Sequence, residues 1–148
     1  VLVGAPFPGN ESHLHDLRNL IRDLNRGAKI VLTGELEDAR PAYAALDAFV
    51  LPSAPPEPFG GVVMEAMSMG VPVIATIIGG SIDQVDEGVT GFLIPPSDPE
   101  ALAEKIELLI RDAALRSRMA QAGPIRIAEK FSLAGMVRRF EQIYESVA

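Results

Sequence analysis

Short runs of apolar residues alternate with longer segments of helical character along this chain. Each run is continuously apolar rather than alternating with polar residues, which is typical of parallel strands buried on both faces of a sheet. A regular succession of such strands and helices predicts a doubly wound α/β fold. We expect a single Rossmann-like domain over residues 1–148. The predicted strands are residues 1–3, 29–32, 48–51, 71–76 and 91–94.

Helical patterns fill the intervals between these strands. The first predicted helix follows Asn10 or Ser12, either of which can cap it, and extends toward Gly27. Residues 98–148 are predicted to be a C-terminal helical segment, in which Pro124 bends or splits one helix. The other predicted helices are residues 39–46, residues 62–69, a short helix ending at residue 85, and residues 98–110, 113–130 and 132–147.

The composition argues against several classes of protein. With 148 residues and 48% hydrophobic content, the chain can bury the core of a folded domain. The formal net charge of −7 argues against nucleic-acid binding, which needs a basic face for the phosphates. The chain contains no cysteine, so no disulfide framework is expected, and a reducing, cytoplasmic location fits. We expect a soluble protein because no apolar run reaches the ~18 residues of a membrane span.

The charge is unevenly distributed along the chain. Residues 1–100 contain five Lys and Arg against fourteen Asp and Glu, whereas residues 101–148 contain eight against six. A basic C-terminal helical face could rest on an anionic membrane or on another domain. An ordinary solvated helix surface is the simpler interpretation of such a charge run. A peripheral contact with the inner face of the membrane therefore stays open.

The segment E-P-F-G-G-V-V-M-E-A-M-S-M-G carries two carboxylates, Glu57 and Glu65, on either side of a glycine pair. Gly60 and Gly61 predict the start of a helix whose residues are apolar or small except for Glu65 and Ser68. The pattern predicts that this helix is buried. A lone carboxylate in it is either held by hydrogen bonds or available to a hydroxylated ligand, because an uncompensated buried charge is costly.

Ligands of open parallel sheets bind at the carboxyl ends of the strands, where loops lead into helices. The Gly60-Gly61 helix start offers N–H groups and a positive dipole end to a phosphate, with no β carbon in the way. Because a carboxylate repels phosphate, Glu57 and Glu65 are better suited to a sugar and a ribose. These residues predict a nucleotide-diphosphate-sugar site. The alternative is a satisfied core acid at Glu65 and a surface residue at Glu57.

Several motifs occur together in the second half of the chain. The run L-P-S-A-P-P-E-P-F-G-G-V-V-M-E-A-M-S-M-G-V-P-V-I-A-T-I-I-G-G is followed by E-G-V-T-G-F-L-I-P-P-S-D-P. In order and spacing, residues 33–140 resemble the C-terminal donor-binding domain of the group 1, or family 4, glycosyltransferases of the GT-B fold. The resemblance implies transfer of a hexose from a nucleotide-diphosphate sugar to an acceptor hydroxyl. It also implies retention of the anomeric configuration, with no bound metal or other cofactor.

The resemblance assigns roles to individual residues. Glu57 would contact the donor hexose as the catalytic residue, and Glu65 would hold the ribose hydroxyls. The base would lie against Thr33, Gly34 and Leu36. The backbone around the sugar and diphosphate would come from Phe59, Gly60, Gly61 and Val62.

One part of the family's pattern has no match in this chain. The family's domain begins with another strand and helix, which carry an Arg and a Lys that neutralise the diphosphate. The run V-L-V-G at residues 1–4 corresponds to the family's second strand, and the acceptor-binding N-terminal domain has no counterpart. We therefore expect a piece of a longer two-domain protein that lacks its first strand and helix. By itself this piece is expected to be inactive as a transferase.

Two other classes of function stay open. A sugar-nucleotide epimerase of the same fold would release a changed sugar nucleotide without using an acceptor. A non-catalytic module would bind the donor and transfer nothing. His13 and His15 are not expected to form a metal site, because residues two apart on a helix point in different directions. The residues do not predict the donor base, the donor sugar, the linkage or the acceptor.

Overall fold

The computed structural model describes residues 1–6, 8–24, 30–55 and 58–147. The chain forms two compact units, Val1–Ala42 and Tyr43–Ala148. The sequence predicts that both units belong to one domain, and this stays a prediction.

The first unit contains helix α1, Glu11–Asp23, and two short paired segments. The Leu2 amide donates to the Val31 carbonyl at 2.8 Å, and the Thr33 amide donates to the Leu2 carbonyl at 3.1 Å. This pairing is an isolated parallel bridge. For the described residues, the prediction of two full strands at 1–3 and 29–32 is therefore wrong. Parallel strands are stabilised by burial on both faces, and Leu2 and Val31 are exposed here. The predicted extension of α1 to Gly27 lies outside the described residues.

The described part of the second unit contains a parallel sheet whose strands lie side by side in chain order. Every residue of the central strand is buried, which agrees with its continuous apolar run. The pairing register aligns Val50 with Ile74 and Ile74 with Phe92. The predicted α/β class with a parallel sheet is confirmed. The strands are β1, Phe49–Leu51, β2, Val73–Thr76, and β3, Gly91–Ile94.

Helices pack on this sheet and follow it to the end of the chain. The side chains of Asp98 and Asp112 cap the two helices that follow them, accepting from the amides of Ala101 at 2.9 Å and Leu115 at 2.8 Å. A buried cluster joins the sheet to these two helices: Ile74, Phe92, Ile94, Leu109 and Met119. The helices are α2, Arg40–Ala44, α3, Gly61–Ser68, α4, Ser81–Gln84, α5, Pro99–Arg111, α6, Ala113–Lys130, and α7, Leu133–Val147.

Helix α6 packs directly on the backbone of α3. A β carbon at Gly123 would lie 2.8 Å from the Met67 carbonyl oxygen, so only glycine permits this approach. The helix also continues through Pro124, so of the two expectations there, a bend or a split, the split is wrong. Proline's fixed φ suits a helix, and its main cost is one intrahelical hydrogen bond, which tertiary packing offsets here. Of the described helices, none is both long and apolar enough to cross a membrane.

Gly123→Ala is expected to lower the free energy of unfolding by about 1–2 kcal/mol, because the overpacking cost exceeds the gain in helix propensity. Urea denaturation measures this difference. The control is Ser117→Ala, an exposed position on the same helix, which gains propensity without a new contact. Equal stability of Gly123→Ala and Ser117→Ala would contradict the close packing of α3 on α6.

Candidate functional site

Helix α3 begins at an open glycine pair. Gly60 has a φ of 63° in the left-handed region, where glycine carries no steric penalty, and it caps the helix. A β carbon at Gly61 would meet no atom within 4 Å. The first amides of a helix have no intrahelical partner and lie at the positive end of its dipole. The start of α3 therefore offers an anion the positive end of a helix, with unobstructed space beside Gly61.

The backbone leading into α3 is supported from α4. The Gln84 side-chain amide donates to the Phe59 carbonyl at 2.5 Å. A β carbon at Gly80 would lie 2.4 Å from the same carbonyl oxygen, so the glycine turn packs directly on it. The Phe59 side chain is exposed, whereas its carbonyl is held in place. The entrance to α3 consists of Phe59, Gly60, Gly61 and Val62. Its first peptide group is thus held by the Gln84 amide and by packing against Gly80.

Glu65 is exposed, so the expectation of a carboxylate on a buried helix is wrong. Helix α3 buries only one face, formed by Val63, Ala66 and Met67. These residues are three and four positions apart, so they share one face of the helix. Glu65 projects from the opposite face. Because almost every residue of α3 is apolar or small, its sequence does not show which face is buried.

The Glu65 carboxylate has a buried partner on α2. The Tyr43 hydroxyl donates to Glu65 Oε2 at 3.0 Å and also lies 3.5 Å from the Val62 carbonyl. Tyr43 is buried, and its ring packs against Phe49 with 5.7 Å between centroids. Of the two expectations for Glu65, a hydrogen-bonded carboxylate is present, and its exposure leaves it accessible to a ligand as well. Burial, followed by the hydrogen bond to Glu65 and its charge, raises the pKa of Tyr43 to about 12.

The first unit contains a cavity of about 440 Å³. Thr33 and Gly34 line it together with residues 2–6, Leu32 and four residues of α1. Leu36 is not among its lining residues and is partly exposed. Two of the three residues expected near the base therefore face one cavity in this unit.

The predicted site residues divide between the two units. The second unit brings together the entrance residues and Glu65 on one helix start, whereas Thr33, Gly34 and Leu36 belong to the first unit. Glu57 lies outside the described residues. Among the residues that are described, no three His, Asp or Glu side chains lie close enough to hold a metal ion.

Sequence reasoning missed two residues that support the entrance. Tyr43 and Gln84 contact Glu65 and Phe59 across 22 and 25 positions, respectively. No local pattern predicts such pairs. The one available signal was a glutamine within the short helix that follows Gly79-Gly80, where a buried amide needs a partner.

The comparison with protein families identifies the family of this chain. The family described as glycosyl transferases group 1 matches residues 1–126. The chain belongs to this family. The resemblance found in the sequence motifs is therefore confirmed.

Proteins similar to this chain include a glycosyltransferase and several solved structures. The chain is 37% identical to the capsular polysaccharide biosynthesis glycosyltransferase CapM of Staphylococcus aureus, over 83% of this chain and 32% of CapM. HepE from Anabaena, crystallised with UDP, is 30% identical with a TM-score of 0.91, over 98% of this chain and 40% of HepE.

A third relative is the C-terminal domain of the group 1 family protein LpcC from Francisella tularensis. It is 28% identical with a TM-score of 0.76, over 86% of this chain and 66% of that domain structure. The chain thus spans about a third of CapM and two fifths of HepE.

The raised pKa of Tyr43 predicts a specific dependence of stability on pH. The phenol ionises near pH ~10 when unfolded and near 12 when folded, so its contribution is complete below pH ~10 and is lost as pH rises toward 12. Relative to Tyr43→Phe, the wild-type protein should lose about 1–3 kcal/mol of unfolding free energy over this range. Urea denaturation at increasing pH measures the difference. Tyr144→Phe, at an exposed tyrosine, controls for loss of a hydroxyl. A pH-independent difference for Tyr43→Phe would contradict the contact with Glu65.

Proposed function

We propose that this group 1 chain is the donor-binding half of a retaining, metal-independent GT-B hexosyltransferase. The observation that carries the proposal is Glu65, an exposed carboxylate held by Tyr43 within about one turn of an open glycine helix start. A helix start of this kind suits a phosphate, and a carboxylate held in this way suits a diol. HepE, a relative with the same fold, has been crystallised with UDP and with UDP-glucose.

The diphosphate is proposed to bind at the amides that open α3. Gly61 leaves room for a phosphate to approach the backbone, and the helix dipole favours negative charge there. Phe59, Gly60, Gly61 and Val62 would supply this backbone. Their role in catalysis is electrostatic, because amides oriented in advance stabilise the diphosphate as it leaves.

The ribose is proposed to bind at Glu65. This residue lies roughly 6 Å along the helix axis from the entrance, at ~1.5 Å per residue, which separates its charge from the phosphates. A carboxylate accepts hydrogen bonds from two neighbouring hydroxyls with favourable geometry. Tyr43 holds one oxygen of that carboxylate from the buried side, so the group meets the ribose in a fixed orientation.

The remaining roles follow the family's pattern. Thr33, Gly34 and Leu36 are proposed to bind the base, and Glu57 the donor hexose. The acceptor, a glycan, lipid or small molecule, would bind to another domain. An Arg and a Lys on the family's first strand and helix would balance the charge of the diphosphate. We propose that the enzyme needs no metal or cofactor and works in the cytoplasm, with peripheral contact at the inner face of the membrane.

A thermal-shift screen of the full-length protein against UDP-, GDP- and ADP-sugars tests the proposal. The matching donor should stabilise the protein by about 2.7 kcal/mol when its concentration is a hundred times Kd. The increase in Tm should persist when EDTA is added. Absence of stabilisation by every nucleotide sugar would contradict the donor-binding function. Loss of stabilisation with EDTA would contradict metal independence.

Glu65→Ala is expected to weaken donor binding by about 1.5–3 kcal/mol, the range for hydrogen bonds to a charged group. Isothermal titration calorimetry measures this loss. A donor with a deoxyribose, which lacks one of the two hydroxyls, should also bind the wild-type protein more weakly, and the variant should not distinguish the two donors. Glu104→Ala, at an exposed carboxylate on α5, is the matched control. A variant that still prefers ribose would remove Glu65 from this role.

Glu57→Ala in the full-length enzyme should lower kcat on the order of a hundredfold, as for loss of one group that stabilises a transition state. The affinity for the nucleoside diphosphate should change little, because the hexose is the group contacted. Steady-state kinetics measure both, and NMR of the product should show the donor's anomeric configuration. Unchanged turnover would exclude Glu57 from the site.

A further inference from the structure

Gln84 makes one hydrogen bond to the entrance and leaves another group without a partner. Its side chain is 1% exposed, and its Nε2 atom donates to the Phe59 carbonyl. Its Oε1 atom is buried and accepts no hydrogen bond from any residue that the structure describes. That oxygen lies close to the cap of α3, since a β carbon at Gly60 would be 3.7 Å from it.

A buried acceptor without a partner destabilises a fold, and an apolar side chain of the same shape would only exchange the unpartnered Gln84 oxygen for an unpartnered Phe59 carbonyl. Packing therefore does not account for an amide at this position. What the amide supplies is a single N–H donor, directed at the peptide group that precedes the helix start. The opposite amide orientation would place Oε1 against the Phe59 carbonyl, where two acceptors repel each other.

Gln84 is itself held in place by Arg126 of α6. The Arg126 guanidinium donates to the Gln84 carbonyl at 2.6 Å and to the Asp83 carbonyl at 2.8 Å. It also pairs with the Asp86 carboxylate at 3.2 Å. These bonds satisfy carbonyls at the end of α4 and join it to α6, the helix on which α3 also packs. The Gln84 amide that donates to Phe59 is therefore anchored to α6, the helix on which α3 packs.

We propose that Gln84 is a positioning residue that orients the Phe59 peptide and the first amides of α3 toward the diphosphate, with Arg126 holding it there. The inference rests on the proposed function, because it takes the α3 entrance as the diphosphate site. Without the amide, the Phe59 carbonyl loses its donor and keeps only its packing against Gly80. The entrance amides then bind an anion only after being reordered, which lowers affinity.

Gln84→Met in the full-length protein tests this inference, since methionine keeps the length of the side chain and cannot donate. The probes are UDP, GDP or ADP, whichever nucleotide binds in the thermal-shift screen, together with the corresponding free nucleoside. We expect diphosphate affinity to fall about tenfold and nucleoside affinity to change by less than about twofold. The Tm should change little, because one unpartnered acceptor is exchanged for another.

Two further variants separate positioning from general destabilisation. Gln84→Leu also lacks the donor and should show the same selective loss if Gln84→Met folds poorly. Asp98→Ala is the matched control, because it removes the side chain that caps α5 through the Ala101 amide at 2.9 Å, on a helix outside this hydrogen-bond network. It should lower the Tm and leave diphosphate affinity unchanged.

Full diphosphate affinity in both Gln84 variants would overturn the inference and leave the proposed function intact. An equal loss of nucleoside and diphosphate binding would also overturn it, since that pattern reports a damaged fold. If the wild-type protein bound no nucleoside diphosphate at all, the proposed function would fail, and the inference with it.

Discussion

The burial of one face of α3 is the constraint on which the rest of the site depends. Val63, Ala66 and Met67 are fully buried, and the glycine at position 123 lets α6 approach the α3 backbone directly. Helix α3 therefore has little freedom to slide or rotate. Its opposite face and its first turn are left at the surface, and these are the parts that a ligand can reach. Buried packing of this kind fixes a helix start more firmly than a loop of the same length.

Two hydrogen bonds extend this fixed position to the groups proposed to meet the donor. Tyr43 holds the Glu65 carboxylate from α2, and Gln84 holds the Phe59 carbonyl from α4. Both supporting side chains are buried, so solvent competes weakly for these bonds. The site thus consists of exposed polar groups oriented by buried ones. Such orientation in advance reduces the entropy lost when a ligand binds, which is how a surface helix start becomes selective for one ligand.

The sequence predicted much of this fold, for identifiable reasons. Strand β3 and helix α6 have the predicted limits, because continuous apolar runs, Asp caps and helical spacing are local signals. The strands predicted around Leu2 and Val31 are reduced to a bridge, because their apolar runs are exposed rather than covered on both faces. The sequence left open whether α6 bends or splits at Pro124, and the helix is continuous because tertiary packing offsets a local penalty.

The sequence by itself determined the α/β class, the glycine start of α3 and membership of the group 1 family. These depend on residue types at fixed spacing along the chain. Only the tertiary structure decided that Glu65 is exposed, that Tyr43 is its partner, and that Gln84 supports the entrance. The physical reason is distance along the chain: each contact joins residues more than twenty positions apart, which approach only after the sheet and helices have packed. Local patterns carry no information on such pairs, and buried hydrogen bonding then specifies them.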